Sequence, residues 1–251
     1  MSTSLDSLPI IDLSLLAGDG ADVAAFDEAL LRATHEVGFF YLIGHGIPED
    51  VVEHLFAEAE RFFALPEADK LDVEMTRSPH FRGYTRTGGE LTEGRVDWRE
   101  QIDVGAERDL VTGGAAYNRV EGPNLWPDAL PSLRPTLTDW SQRCSIIGMT
   151  LLRAWARALG AAEDRFDDAF DRPSTLIKLV RYPGRDGDKR QGVGAHKDPG
   201  VLTLLMIEPE KAGLQVEHGT DWIDAPPVPG AFVVNIGELM EFVTDGYLRA
   251  T

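Results

Sequence analysis

From Ser174 to Gly237 the sequence is a succession of short apolar runs cut at even intervals by glycine and proline. That punctuation constrains the fold more than any other feature of the chain. Leu176–Tyr182 is stopped by Pro183-Gly184, and Leu202–Leu205 follows Pro199-Gly200. Gly213–Val216 faces Trp222-Ile223 across a turn holding His218 to Asp221, and Pro226–Gly230 leads into the apolar run Ala231–Gly237. Strand-length runs bounded by turn formers pair with their neighbours, and several in a row argue for an antiparallel barrel or jelly roll.

The earlier part of the chain reads differently. Val23, Phe26, Leu30, Leu31 and Val37 recur at helical spacing until Gly38 breaks the pattern, and a buried strand, Phe39–Ile43, follows. Pro48 opens a second helix through Val52, Leu55, Phe56, Ala59 and Phe63, and Pro66 with Lys70 starts a shorter one. Residues 97–105 resemble a strand. A long amphipathic helix runs from Pro135 to about Leu159, ended by Gly160, with Trp140, Ile147, Leu151, Leu152 and Trp155 on its apolar face as a support for the core. His35 and His54 are ordinary helix residues, and His45, between two glycines, reads as a structural turn residue. The loop Ser78–Gly89, polar, glycine-rich and aromatic, is suited to lining a pocket mouth with His80, Arg82 and Tyr84.

The chemistry concentrates at Gly194-Ala195-His196-Lys197-Asp198-Pro199-Gly200. In an extended strand alternate side chains share a face, so His196 and Asp198 can both reach one metal ion. An imidazole and a carboxylate on one face, completed by a third ligand, make the two-histidine, one-carboxylate arrangement that holds iron(II) and leaves positions open for oxygen and a co-substrate.

Composition narrows the partners. With 251 residues there is room for one substantial core. A net charge of −18 opposes polyphosphate binding, so nucleic acid is not expected. No apolar run reaches membrane-spanning length, and Met1–Asp6 lacks the basic and apolar regions of a signal peptide, so a cytoplasmic protein is expected. Cys144 is the single cysteine, excludes an intrachain disulfide, and reads as a buried helix thiol in reducing surroundings.

The chain resembles the isopenicillin N synthase-like family of iron(II)- and 2-oxoglutarate-dependent oxygenases over nearly its whole length. The resemblance is carried by Leu8–Asp12, Gly38–Ile47, Arg82-Gly83-Tyr84, Asn124–Pro127, Arg181-Tyr182-Pro183, His196-Lys197-Asp198 with Gly200–Leu205, Gly213–Val216 and Val234–Glu238. It implies a mainly β fold with flanking helices, built on a double-stranded β-helix or jelly-roll core. It also implies an N-terminal dioxygenase region over 8–125 and a catalytic core over 172–251, with the helix 135–160 in support, all in one structural unit. His196 and Asp198 would be iron ligands, Tyr182 would meet the co-substrate or substrate, and Leu204 would join His80, Arg82 and Tyr84 near the substrate pocket. The implied reaction is oxidation of a small molecule by O2, as hydroxylation, desaturation or ring closure, while 2-oxoglutarate goes to succinate and CO2. A carboxylate at Asp198 fits these outcomes, whereas halogenating relatives have a small residue there.

The resemblance breaks in two places. Val180 stands where many plant members carry asparagine, and Thr251 falls about two residues short of the expected second histidine ligand, with the arginine for the distal carboxylate of 2-oxoglutarate later still. A fragment of a longer enzyme is therefore expected. Two alternatives are a 2-oxoglutarate-independent iron oxidase like isopenicillin N synthase, and a non-catalytic binding protein should the chain end at Thr251.

Overall fold

The computed structural model describes residues 7–110, 113, 115–184 and 192–251. The opening stretch Met1–Asp6, read above for a targeting signal, lies outside them. The chain divides into two compact units that interleave in sequence: Met1–Glu49, Ile146–Asp171 and His196–Thr251 form one, and Asp50–Ser145 with Arg172–Ala195 the other. Among the described residues no helix is long and apolar enough to cross a membrane.

The first unit is built on a four-stranded sheet. Its strands are β1 (Ile10–Asp12), β2 (Phe39–Ile43), β8 (Leu202–Leu205) and β11 (Phe232–Ile236), in the order β1-β2-β11-β8. Helix α1 (Gly20–Glu36) connects β1 to β2, and such a helical crossover makes that pair parallel, unlike the antiparallel β2–β11 and β11–β8 pairs. Asp19 caps α1, its Oδ1 accepting from the N–H groups of Ala21 and Asp22 at 2.8 and 3.2 Å. At the end of α1 the chain reverses through Gly38 at φ +82°, a conformation that favours glycine. A hairpin of β9 (Gln215–His218) and β10 (Asp221–Asp224) pairs Val216 with Ile223, as expected, and His218 closes β9 opposite Asp221 instead of lying in the turn. The core clusters Leu8, Val37, Tyr41, Val216, Ala225, Ala231 and Val233. The long helix α4 (Leu133–Ala158) contributes its second half here, where Trp155 Nε1 donates to Thr34 Oγ1 at 3.3 Å and Arg157 grips Asp27 through two bonds of 2.7 and 2.8 Å.

The second unit holds α2 (Glu49–Phe63) from Asp50 onward, α3 (Glu67–Leu71), the first half of α4, and a small hairpin of β4 (Leu91–Thr92) and β5 (Arg95–Val96). Its main sheet orders β3 (Gly83–Thr85), β6 (Glu100–Gly105) and β7 (Leu176–Arg181) as β3-β6-β7, antiparallel throughout. β3 lies inside the stretch expected to be loop. Glu100 ties this unit together: its Oε2 accepts from Lys70 Nζ at 2.9 Å and from the Tyr84 hydroxyl at 2.7 Å, and its Oε1 from Arg181 at 3.0 Å.

Candidate metal and co-substrate site

His196 and Asp198 do not sit on a strand. Residues 194–201 have no regular structure, because Pro199 has no N–H to give a ladder, and β8 begins only at Leu202. The two side chains nonetheless converge, with His196 Nε2 3.5 Å from Asp198 Oδ1. The other carboxylate oxygen is held by the sheet, since Oδ2 accepts from Thr203 Oγ1 at 2.5 Å and from Asn235 Nδ2 at 2.9 Å. Thr203 on β8 and Asn235 on β11 are cross-strand partners, so the register itself brings both donors to one carboxylate.

The backbone of this turn is clamped as well. The N–H groups of Gly237, Glu238 and Leu239, at the entry to helix α5 (Glu238–Val243), donate to the carbonyls of Val201, Asp198 and Gly200 at 2.9, 2.8 and 3.1 Å. The approach is so close that a Cβ on Gly237 would stand 2.1 Å from the Gly200 oxygen.

The electrostatics favour a charged carboxylate. The His196 imidazole, followed by the Thr203 and Asn235 donors, holds the Asp198 carboxyl well below the usual carboxylate range, against the opposing effect of burial. The side chains of His196 and Asp198 remain 45% and 30% exposed, so the pair is open to a metal ion and further ligands. A neutral imidazole and a hard carboxylate oxygen suit iron(II). Among the described residues no group of three His, Cys, Asp or Glu side chains could hold a metal, so these two are the donors the described chain brings together.

The remaining sequence candidates are placed as follows. Tyr182 lies one residue beyond β7 rather than on it, half-exposed, and Trp98 Nε1 donates to the next carbonyl, that of Pro183, at 3.1 Å. His80, Arg82 and Tyr84, expected near a pocket mouth, are buried. His80 Nδ1 meets the Arg119 carbonyl at 2.9 Å, Arg82 donates to the carbonyls of His80 and Val120 at 3.1 and 2.9 Å, and Tyr84 donates to Glu100. The reason is local: Phe81, at φ +61°, turns outward and its neighbours turn in. Leu204 is partnered by Val234, so strand alternation puts it on the face opposite Thr203 and Asn235.

His45 has the structural role read for it. Its Nε2–H donates to the Gly230 carbonyl at 2.9 Å, its Nδ1 accepts from Ile47 N–H at 3.2 Å, and its ring meets Phe232 edge-on. Burial pushes the Cys144 thiol up to about 12, which keeps it protonated and unreactive. Thr203 and Asn235 are not among the residues the sequence singles out, although an asparagine inside the apolar run Phe-Val-Val-Asn-Ile is a signal that could find the second of them.

Comparison with known proteins points the same way. Residues 8–129 match the family model described as non-haem dioxygenase in morphine synthesis, N-terminal, and residues 174–251 match the 2OG-Fe(II) oxygenase superfamily. A homoarginine-6-hydroxylase of Arabidopsis thaliana is 35% identical over 266 residues, covering 100% of this chain and 80% of that protein. Among solved structures, a full-length Neurospora crassa protein in complex with alpha-KG superposes with a TM-score of 0.84 at 29% identity, over 99% of this chain and 79% of that one. The same Neurospora protein with alpha-KG and thymine gives a TM-score of 0.83 at 28% identity, covering 99% and 80%.

Proposed function

This chain belongs to the iron(II)- and 2-oxoglutarate-dependent oxygenases, and from that premise we propose that His196 and Asp198 are its iron ligands and that Tyr182 contacts the co-substrate or the substrate. The fold is the jelly roll of that family, and the enzyme uses Fe(II) as its metal and consumes 2-oxoglutarate and O2 to oxidise a small molecule. The observation that carries the assignment of ligands is the Asp198 carboxylate, anchored through Oδ2 by Thr203 and Asn235 while Oδ1 faces His196.

Iron, when bound, supplies oxygen activation and the oxidative decarboxylation of 2-oxoglutarate. The chain's own residues prepare that chemistry. His196, then the Thr203 and Asn235 donors, keep the Asp198 carboxylate ionised, and Thr203 and Asn235 hold its Oδ2 in place. His196 offers its imidazole on the same side, with Nε2 3.5 Å from Asp198 Oδ1. The Gly237–Leu239 N–H groups fix the backbone from Asp198 to Val201.

The alternative in which 2-oxoglutarate is dispensed with is disfavoured by relatives that bind it. The single cysteine supports a reducing compartment such as the cytoplasm, and the charge of −18 supports the absence of a nucleic-acid partner.

The test is direct. His196→Ala and Asp198→Ala should each abolish iron(II) binding and succinate formation, and full activity in either variant would reject the assignment. Anaerobic titration with iron(II) and 2-oxoglutarate, followed by the visible charge-transfer band of the chelate, reads binding independently of turnover.

A further inference from the structure

The two faces of the sheet β3-β6-β7 are chemically unlike. The register pairs Ile102 with Leu179 and Val104 with Ile177 on one face, and Gln101 with Val180 and Asp103 with Lys178 on the other. On that second face Gln101 and Asp103 are each 1% exposed. Gln101 Nε2 donates to Glu90 Oε1 at 3.1 Å and to Asp103 Oδ1 at 3.0 Å, Arg99 Nη2 donates to Glu90 Oε2 at 2.8 Å, and Lys178 Nζ donates to Asp103 Oδ2 at 2.9 Å. Packing of the sheet does not call for such a cluster, since apolar side chains of the same volume are as stabilising or more so.

Two atoms of the cluster are left over. Both amide hydrogens of Gln101 go to carboxylate oxygens, which only accept, so the amide orientation is fixed and Oε1 is the acceptor that remains. Among the described residues Gln101 Oε1 and Arg99 Nε are buried without a hydrogen-bond partner. One is an acceptor, the other a donor, and one carboxylate, Glu90, joins their side chains. Leaving each unpaired costs on the order of 1–3 kcal/mol, which calls for a partner that the described residues do not supply. Lys178, bonded to Asp103, and Tyr182, whose hydroxyl bonds the Arg99 guanidinium, are half-exposed.

We propose that this face of β6 and β7 binds a small molecule bearing a neutral amide-type group, a carboxamide, lactam or cyclic ureide, whose N–H pairs with Gln101 Oε1 and whose C=O pairs with Arg99 Nε–H. A guanidinium or ammonium ion has no acceptor for Arg99 Nε–H. A carboxylate has no donor for Gln101. Only the identification of this molecule as the substrate rests on the oxygenase reading above.

The test uses the full chain and thymine, glutarimide and nicotinamide as probes, with 1,3-dimethylthymine as the control that lacks every N–H, read by ligand-observed saturation-transfer NMR. Binding of at least one N–H probe is expected, with none for the dimethyl control, and Gln101→Met should weaken it roughly tenfold or more, the worth of one buried hydrogen bond. Arg99→Lys, which keeps the charge towards Glu90 but has no Nε–H, should weaken it similarly and serves if Gln101→Met fails to fold. Equal binding of thymine and its dimethyl analogue, unchanged binding in the folded variants, or no binding of any N–H probe would overturn the proposal, the leftover atoms then holding water only. A 2-oxoglutarate titration on the same sample separates the two claims. Co-substrate binding without probe discrimination sinks only this site, and probe discrimination without co-substrate binding sinks only the oxygenase reading.

Discussion

Asn235 donates its side-chain amide to Asp198 Oδ2 across 2.9 Å from β11, a strand whose other four residues are apolar and buried. An amide in that setting is retained for what it holds. Replacing it with leucine leaves Oδ2 to the Thr203 hydroxyl alone and lets the carboxyl pKa rise. Groups that orient a metal ligand are worth about 10–100-fold in metal affinity. Asn235→Leu and Thr203→Val are therefore each expected to lower iron(II) affinity by about tenfold or more in an anaerobic iron titration. Native affinity in both variants would show that the ligand needs no such support.

How far the site is legible depends on the kind of signal. His196 and Asp198 stand out because their spacing and chemistry are read from neighbouring letters. Their setting does not, because an extended strand through Pro199 is the simplest way to put both on one face, whereas β8 starts at Leu202. Thr203 and Asn235 meet only through the pairing of β8 with β11, far apart in sequence, and no local pattern encodes that register. The polar, aromatic stretch His80–Tyr84 misleads for the opposite reason: its composition is that of a loop, but the positive φ of Phe81 and the pairing of β3 with β6 bury its polar atoms. The elements themselves, α1, β2, α2, β6, α4 and β11, follow from periodicity and from glycine and proline, because burial of one face dictates those patterns.

Glu100 and Lys70 give a stability prediction. Both side chains are almost wholly buried, at 6% and 10% exposed, and Glu100 also serves Tyr84 and Arg181. Glu100→Leu strands the Lys70 ammonium in the interior and should destabilise the protein by about 3–5 kcal/mol, whereas the double change with Lys70→Met should recover much of that loss. Urea unfolding of the native protein and the two variants checks it. A double variant as unstable as Glu100→Leu alone would show that the ion pair is not the source of the effect.

His45 predicts a pH dependence. Burial lowers its pKa below the usual 6.5, against a smaller opposite effect of the Gly230 carbonyl, and its Nδ1 lone pair is already taken by the Ile47 N–H. The folded state thus prefers the neutral ring. Its contribution is fully present above the unfolded-state pKa and is lost as pH falls through 6.5 towards the lower folded-state value. His45→Gln keeps a donor for Gly230 and does not titrate. The difference in Tm between the native protein and this variant should narrow from about pH 8 to about pH 5, and a constant difference would remove His45 as the sensor.

Gly237 ties the fold to the chemistry at a single atom. Its φ of −93° is open to any residue, so the requirement is one of space: the missing Cβ would lie 2.1 Å from the Gly200 oxygen and 3.1 Å from that of Asp198. Both neighbours are backbone, and both are hydrogen-bonded to the N–H groups of Leu239 and Glu238, so neither can yield without releasing the turn that carries the ligands. Gly237→Ala should cost about 1–3 kcal/mol of stability, as overpacking does. Because the strain falls on the Asp198–Gly200 backbone, iron(II) affinity should drop with it, by a factor that Gly246→Ala does not reproduce: at φ +77° that change strains its own backbone, but its Cβ would meet nothing within 4 Å. Melting temperature and iron titration on the two variants together decide the matter: equal losses in both would mean that general destabilisation, not displacement of the ligand turn, weakens the site.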